Sequence, residues 1–499
     1  MKKILKLIDK HDSISMLIWL IILTSTFAFY HNMGANDELW NFSSIYKMYN
    51  GCIIYKDINV IITPLFFIVG EILFKLLGAN YLVFRLYEGV IIYTFLLFIM
   101  YQVFKKLKLQ KINSAIYTTA IGLIMLIKTF DGEYNILSVA FVILGIYYLI
   151  SNKKLYKQGI IQGIITFLIF MTKQNVAVYY LIGLMLWQLI EKNEFKAKIK
   201  LIITEIGTLL ILILTFFSAM QTIGIWNDFI NYAFLGVKEF ATHNVIDPQN
   251  AKIPIIITIQ IIIITGIIKI SKIPITEEQW RNTKILVIFS ILMQMISYPI
   301  FNIIHILNAN IVFLVFIVYE IDTIIQILIE DIGIRRKLNI IKKCLLFFAI
   351  LTITLVNVYI NTVYIYTVLI KCEYFPKTEP YYGALIKQTK KQNIEEILNY
   401  IKEQNNNGFE VKIISYYSNL YMNLLKRNNG DLDLPFYGNM GKKGEDGLIE
   451  KISELKNTKI LILTHEDKIY QESKKITDYI RNNLIYEKTI EQFSIFKTK

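Results

Sequence analysis

Residues 81–111 read YLVFRLYEGVIIYTFLLFIMYQVFKKLKLQK, a long apolar segment that ends in a cluster of four lysines. A membrane-spanning helix needs about 20 mostly apolar residues, and cytoplasmic loops collect lysine and arginine. The stretch therefore predicts a membrane span that ends at the cytoplasmic surface. The same alternation of apolar segments and short basic clusters recurs along much of the chain.

The composition also indicates a membrane protein. Of the 499 residues, 55% are hydrophobic and only 18% are charged, the mean hydropathy is +0.46 and the formal net charge is +14. Soluble domains carry about 25% charged residues, so these values exclude a soluble enzyme, a collagen-like chain and a disordered chain. Three cysteines (Cys52, Cys344 and Cys372) cannot form a disulfide scaffold. Because the positive charges lie in clusters between apolar segments, we also exclude nucleic acid as a partner.

Eleven apolar segments are predicted to span the membrane. They cover roughly residues 14–30, 81–104, 112–128, 135–150, 158–172, 176–190, 201–218, 254–270, 284–298, 306–329 and 340–363. The first follows a basic N-terminus and has no small-residue cleavage site, so we expect a retained helix that starts in the cytoplasm. The connections assigned to the inside carry 24 basic residues, and those assigned to the outside, leaving aside a short helix at 63–78, carry six. This asymmetry places the C-terminus outside the cell.

Two domains are predicted, a multi-pass transmembrane domain at 1–363 and a soluble extracytoplasmic α/β domain at 364–499. The transmembrane domain includes an outer loop at 31–80 with interfacial helices. The tail has helix-like segments at 392–406, 418–428, 445–456 and 471–483, strand-like segments at 411–417 and 459–464, and an alternating end at 489–496. This order predicts a small three-layer α/β fold.

The first outside loop carries the sequence NDELW at 36–40 and YKD at 55–57. Asp37 and Glu38, close to a bilayer, are suited to act as general base and orienter for an acceptor hydroxyl or phosphate. Alternatively, Asn36 or Asp37 is the N-cap of a helix that begins near Leu39, with Glu38 in its first turn. The following apolar run at 63–78 is short and charged, which predicts a helix lying at the outer interface.

The later outside loops carry further polar groups. Asp131 and Glu133 would line a mixed-charge cavity, or the Asp-Gly pair would form a plain turn. Lys173 and Gln174 lie in a polar island between two short apolar runs, where the lysine is suited to bind a lipid phosphate or else reaches to the interface as a snorkelling side chain. His305 precedes two asparagines where the chain re-enters the membrane, and it is either a substrate contact or a structural hydrogen-bonding residue.

The order of these motifs resembles the integral-membrane GT-C glycosyltransferases of the protein O-mannosyltransferase and aminoarabinose-transferase type, particularly their Gram-positive relatives. The matching features are Asp-Glu at 37–38, Tyr-x-Asp at 55–57 before Pro64-Leu65, the Thr-Lys segment FMTKQN at 170–175, and the segment from Tyr298-Pro299 to His305. The order of segments matches from about residue 14 to 310. The multi-pass core with an outside C-terminal domain matches over the whole chain.

The resemblance implies a GT-C-like catalytic transmembrane domain in a bacterial cell membrane. It implies that Asp37 is the catalytic base, assisted by Glu38 or by Asp131 and Glu133, and that Lys173 contacts the phosphate of a polyprenyl-phosphate-linked sugar donor. Asp57, Gln174 and His305 complete the expected substrate-binding set, and the acceptor is a cell-envelope glycan or lipid. Where the family often has His or Lys before Pro-Pro-Leu, this chain has Ile62-Thr63-Pro64-Leu65, so that phosphate ligand has no counterpart here.

The reaction expected is an inverting attack on the anomeric carbon, with a carboxylate base on the acceptor and cations at the departing phosphate. Such a reaction needs no nucleotide sugar and no cofactor. It does not require a metal, and the sequence has no His/Cys ligand cluster.

Two other functions stay open, a flippase or transporter for a lipid-linked saccharide and a polysaccharide polymerase. Acids at mid-membrane and Gly/Pro-broken helices favour a transporter, but Glu88, Glu205 and Asp322 are few and close to predicted helix ends. A polymerase shares the topology but does not predict Asp-Glu in the first loop.

Overall fold

The chain folds into two compact units. The computed structural model describes residues 12–30, 37–128, 133–151, 155–192, 194–237, 250–271, 274–298, 300–331, 372–375, 380–415, 417–432, 439–464 and 473–499. The first unit comprises Met1–Ala28, Glu88–Phe216 and Val245–Val363, and the second comprises Phe29–Tyr87, Phe217–Asn244 and Tyr364–Lys499. The second unit therefore combines residues 29–87, which include the loop predicted to lie outside, and a segment from the middle of the chain with the C-terminal tail.

Helices dominate the described residues before the tail. In chain order they are α1 (Asp12–Tyr30), α2 (Asp37–Tyr49), α3 (Leu65–Leu77), α4 (Tyr81–Arg85), α5 (Tyr93–Lys106), α6 (Lys111–Lys128), α7 (Glu133–Ile150), α8 (Leu155–Thr172), α9 (Gln174–Ile190), α10 (Phe195–Ile223), α11 (Trp226–Ile230), α12 (Lys252–Ile270), α13 (Glu277–Met293), α14 (Ile303–Ala309) and α15 (Ile311–Asp331). Two π-helical turns, Leu86–Ile92 and Asn231–Gly236, follow α4 and α11, and a 3₁₀ turn, Gln294–Ser297, follows α13.

The helices have the apolar character of a membrane protein, but eleven spans are not confirmed. Four described stretches are long and apolar enough to cross a membrane: Asp12–Phe29, Tyr81–Lys106, Phe195–Ile223 and Lys252–Ile270. A fifth is possible if α14 and the first part of α15, which are bent by 48° at a short break, count as one span. Lys111–Leu126, Tyr134–Ile150 and Gln174–Ile190 are apolar but shorter, and the predicted span at 340–363 lies outside the described residues.

Close helix packing in the first unit depends on two small residues of α8. A Cβ atom on Gly159 would lie 2.9 Å from the Thr204 Cβ atom, and one on Gly163 would lie 2.7 Å from the Glu205 carbonyl oxygen of α10. The two glycines are four residues apart and therefore lie on one helix face, as in the small-xxx-small pattern of membrane helices. Their missing side chains allow the backbones of α8 and α10 to approach each other closely.

The tail combines helices with small sheets, as the sequence predicted. Its elements are β1 (Cys372–Tyr374), β2 (Leu385–Lys387), α16 (Gln388–Asn406), β3 (Glu410–Ile414), α17 (Ser418–Leu424), a 3₁₀ turn (Gly430–Leu432), α18 (Gly444–Glu454), β4 (Thr458–Leu463), α19 (Lys474–Asn483), β5 (Ile485–Ile490) and β6 (Phe493–Lys497). β1 and β2 pair antiparallel. The other four strands form one sheet in the order β3-β4-β6-β5, in which only β3 and β4 are parallel.

The core of the tail is apolar, and its members come from the sheet and from the helices beside it. They include Ile414, Leu448, Ile452, Ile460, Ile462, Ile476, Ile480 and Phe496. The end of the chain differs from the single alternating segment that was expected. It is a hairpin of β5 and β6, which reverses at Glu491, whose φ of +48° lies in the left-handed region.

Residues far apart in sequence complete the second unit. The first backbone N–H groups of a helix have no partner within the helix, and in α4 those of Tyr81 and Leu82 donate to the carbonyl oxygens of Pro380 and Tyr382, each at 2.9 Å. The Asn80 side chain caps the same helix by accepting from the Val83 N–H at 3.1 Å. The start of α4 is thus held partly by the tail.

Candidate functional site

The two acids of the first loop have opposite environments. Asp37 is the first residue of α2 and is exposed, whereas Glu38 is buried with only 1% of its surface exposed. The dipole of α2 favours negative charge at its first turn. Asp37 is therefore an exposed acid in the first turn of α2, and the cap predicted at Asn36 lies outside the described residues.

Glu38 forms a buried ion pair with Arg85. The Arg85 Nε atom lies 2.5 Å from the Glu38 Oε1 atom, and both side chains are almost fully buried. Arg85 also donates from Nη2 to the Tyr81 hydroxyl oxygen at 3.0 Å, and its guanidinium lies 5.1 Å from the Tyr81 ring centroid. This ion pair connects α2 to α4. The Glu38 carboxylate is buried in that contact and does not face solvent, where an acceptor would approach.

The sequence does not identify Arg85 as the partner of Glu38, because its neighbours in sequence are apolar and it lies within a predicted membrane span. The available signal was its position: an arginine near the start of an otherwise apolar segment is costly unless it is paired.

A polar network joins α2 to the tail helix α17. Ser43 donates to the Asn419 Oδ1 atom at 2.9 Å, and the Lys47 ammonium donates to the same oxygen at 3.2 Å. The Tyr381 hydroxyl donates to the Asn419 carbonyl oxygen at 3.2 Å and accepts from Asn423 Nδ2 at 2.9 Å. Burial lowers the pKa of Lys47 from its ordinary value to about 7, an effect that the nearby Cys52 partly offsets.

Asp57 shapes the turn before α3. Its Oδ2 atom accepts from the Ile53 N–H at 2.7 Å, and its own N–H donates to the Ile53 carbonyl oxygen at 2.8 Å. Its backbone carbonyl oxygen accepts from Asn428 Nδ2 of the tail at 2.9 Å. Asp57 is half-buried, and these bonds give it a role in fixing the loop whether or not it binds substrate.

In the first unit, Lys173 lies at the break between α8 and α9. It has an extended backbone as the residue before α9, and its N–H donates to the Ile169 carbonyl oxygen at 2.7 Å. Its ammonium donates to the Asn135 Oδ1 atom at 2.5 Å and lies 5.8 Å from the Tyr134 ring centroid. The half-buried Lys173 therefore faces the start of α7, and Gln174 follows it as the first residue of α9.

His305 lies in the first turn of α14. The Asn302 side chain caps this helix by accepting from the His305 N–H at 2.8 Å, and the same oxygen lies 2.7 Å from the His305 Nδ1 atom. Asn302 therefore fixes the orientation of the imidazole ring. A fixed ring is compatible with substrate binding and also with the structural alternative.

Buried amides surround the break between α14 and α15. Gln294 Nε2 donates to Asn310 Oδ1 at 3.1 Å, and Asn310 Nδ2 donates to the Ile306 carbonyl oxygen at 2.6 Å. Asn308 is 1% exposed, and neither of its amide atoms has a hydrogen-bond partner among the described residues. Such a group is costly to bury without a partner, so Asn308 marks a place where a polar ligand could be accommodated.

The acids predicted in the second outside loop are only partly described. Asp131 lies outside the described residues, and Glu133 begins α7, where the structure describes its backbone alone. Within the described ranges, no group of three or more His, Cys, Asp and Glu side chains is arranged to hold a metal ion.

Comparison with known proteins adds no family assignment. The sequence matches no protein-family model, and no curated protein shows significant similarity to it.

Proposed function

We propose that this protein is a membrane glycosyltransferase that transfers a sugar from a polyprenyl-phosphate-linked donor to a cell-envelope acceptor at the outer face of the membrane. The proposal includes a GT-C-like multi-pass arrangement of eleven spans in a bacterial cell membrane, with a cytoplasmic N-terminus and an extracytoplasmic tail. The observation that carries it is the position of Asp37, an exposed acid that begins α2 shortly after the apolar helix α1.

In this reaction Asp37 accepts the proton of the acceptor hydroxyl while the acceptor oxygen attacks the anomeric carbon. The bond from that carbon to the phosphate oxygen breaks, and the phosphate leaves with the electron pair. Lys173 is assigned to the departing phosphate, because a lysine ammonium can donate to phosphate oxygens as a compact point charge. Its hydrogen bond to the Asn135 amide oxygen supports this role, because it holds the ammonium in a defined position at the break between α8 and α9.

Asp57, Gln174, His305 and the acids Asp131 and Glu133 are proposed to contact substrate. Glu38 is assigned a positioning role, because its ion pair with Arg85 holds the helix that presents Asp37.

The test compares acid-to-amide substitutions in purified full-length protein supplied with a panel of polyprenyl-phosphate sugars. Asp37→Asn keeps the shape of the side chain but cannot take a proton, so donor consumption should fall by about 10² to 10⁴-fold. Glu71→Gln is the matched control, because Glu71 lies in the same loop and pairs with Lys75 within α3. The base assignment is wrong if Asp37→Asn keeps more than about a tenth of the wild-type rate, well short of a general-base effect.

A flippase or transporter for a lipid-linked saccharide is the second candidate. The 48° break between α14 and α15 and the buried amide of Asn308 favour it, because transporters build substrate sites at discontinuous helices. A polymerase is a further alternative with no specific observation in its favour. In sealed vesicles, a transporter moves the intact donor across the bilayer, whereas a transferase breaks the bond between sugar and phosphate.

A further inference from the structure

A cavity of about 300 Å³ lies in the first unit, where α9 ends and α13 begins. Two indole rings, those of Trp187 and Trp280, line it together with Ile190. Six charged side chains complete the lining: Glu191, Lys192, Glu277, Glu278, Arg281 and Lys284. None of these residues belongs to the set proposed for sugar transfer.

The acids of this cavity are already paired. Glu191 Oε1 lies 3.1 Å from the Arg281 Nε atom, and Glu277 Oε1 lies 3.3 Å from the Lys192 Nζ atom. Glu278 pairs with Lys108, which approaches from the end of α5. Lys284 has no acidic partner in the described part of the chain, and its ammonium lies 5.8 Å from the Trp280 ring centroid. One positive charge is therefore in excess.

Arg281 adds a donor that is not used. Its Nη2 atom donates to the Leu149 carbonyl oxygen at 3.1 Å, and its guanidinium lies 5.1 Å from the Trp187 ring centroid. Its Nη1 atom is buried and has no hydrogen-bond partner among the described residues. Residues 281 and 284 are three positions apart on α13, so their side chains lie on the same face of the helix. Both cations line the cavity, so an anion bound there would lie near two positive side chains.

We propose that this cavity binds a phosphate group through Arg281 and Lys284. A lipid headgroup and a free phosphate offer the same chemistry, but the surroundings suit a lipid. Ile190 lines the cavity with 48% of its surface exposed, and the adjacent Leu189 is 72% exposed, which gives acyl chains an apolar surface to contact. Basic pockets between helices recognise anionic headgroups, and tryptophan is enriched at membrane interfaces.

The experiment uses delipidated full-length protein in detergent. Its thermal unfolding is followed during titration with dihexanoyl-phosphatidylglycerol, dihexanoyl-phosphatidylcholine or inorganic phosphate, and the Kd follows from the ligand-dependent rise in Tm. We expect the anionic lipid to bind most tightly. Lys284→Gln should weaken its binding by about tenfold or more, since one charge-assisted contact is lost. Lys269→Gln is the control, because Lys269 is exposed at the end of α12 and does not line the cavity.

The outcomes separate the sources of the phosphate. If Lys284→Gln weakens the binding of both anions, their relative affinities identify the ligand. Tighter binding of phosphatidylglycerol than of inorganic phosphate identifies a lipid headgroup, and equal binding of the two identifies free phosphate. The proposal is overturned if neither anion raises the Tm, or if Lys284→Gln and Lys269→Gln bind the anionic lipid with the same Kd. Asp37→Asn should leave this binding unchanged, so a failure of the proposed sugar transfer is distinguishable from a failure here.

Discussion

The buried pair of Glu38 and Arg85 predicts a specific pattern of stability changes. With 2.5 Å between Nε and Oε1 and an effective dielectric constant of about 20, the Coulomb attraction is about 6 to 7 kcal/mol. Removing two ions from water costs several kcal/mol each. The net contribution of the intact pair is therefore small, but a single substitution leaves one charge buried without its partner.

We expect Arg85→Met and Glu38→Leu each to destabilise the protein by about 3 to 5 kcal/mol. The double variant, which replaces both charges by apolar side chains, should recover most of that loss. At about 2 to 4 °C per kcal/mol for a unit of this size, each single variant should unfold roughly 10 °C below the wild type in a fluorescence-monitored thermal scan.

The Lys75→Met variant is the control, because its ammonium pairs with Glu71 but is 60% exposed. Surface ion pairs contribute about 0 to 1 kcal/mol, so its Tm should stay within a few degrees of the wild type. If Arg85→Met lowers the Tm no more than Lys75→Met does, or if the double variant is less stable than both single variants, the reasoning about charge burial is refuted.

Three further predictions concern Lys47, Lys173 and Gly163. The folded pKa of Lys47 is about 7, below the ordinary lysine value of about 10.4. Between these pH values the unfolded chain binds more protons, so the free energy of unfolding should rise with pH by at most about 1.4 kcal/mol per pH unit. Thermal scans at pH 7 and 9 should show a smaller rise in Tm for Lys47→Met than for the wild type. Lys173→Ala should raise the donor KM about ten- to a hundredfold with little change in Tm, and an unchanged KM would return this residue to a snorkelling role. Gly163→Val should lower the Tm because its Cβ atom would meet the Glu205 carbonyl oxygen at 2.7 Å, a clash that costs about 1 to 3 kcal/mol of stability. Gly207→Val is the control, because a Cβ atom there meets nothing within 4 Å and the variant measures the change in helix propensity alone.

Local patterns in the sequence predicted the helices and the mixed tail well. The strand at 411–417 corresponds to β3, and the strand at 459–464 corresponds to β4, because both are short apolar runs between turn signals. The alternating end was expected as one element because a two-residue reversal at 491–492 does not interrupt the alternation of side chains. The register of β6 between β4 and β5 depends on pairing that the local pattern does not encode.

The candidate site was predicted less completely, since burial depends on contacts between distant residues. Adjacent acids look equivalent in sequence, yet Asp37 is exposed while Glu38 is buried against Arg85. Nothing in the sequence distinguishes Lys47 from the other charges of its loop, but the amide of Asn419 makes it part of an interior network. These distinctions require a partner from another segment, and a single sequence gives no sign of which segment supplies it.

The network between α2 and α17 also constrains how the protein is made. Ser43 and Asn419 are separated by 376 positions, and ribosomes add about 5 to 20 residues per second. Helix α2 is therefore synthesised roughly 20 to 75 s before its partner exists. Until then the hydrogen bonds from Ser43 and Lys47 to Asn419 cannot form. A chain truncated before residue 419 would lack the amide oxygen that accepts from both side chains.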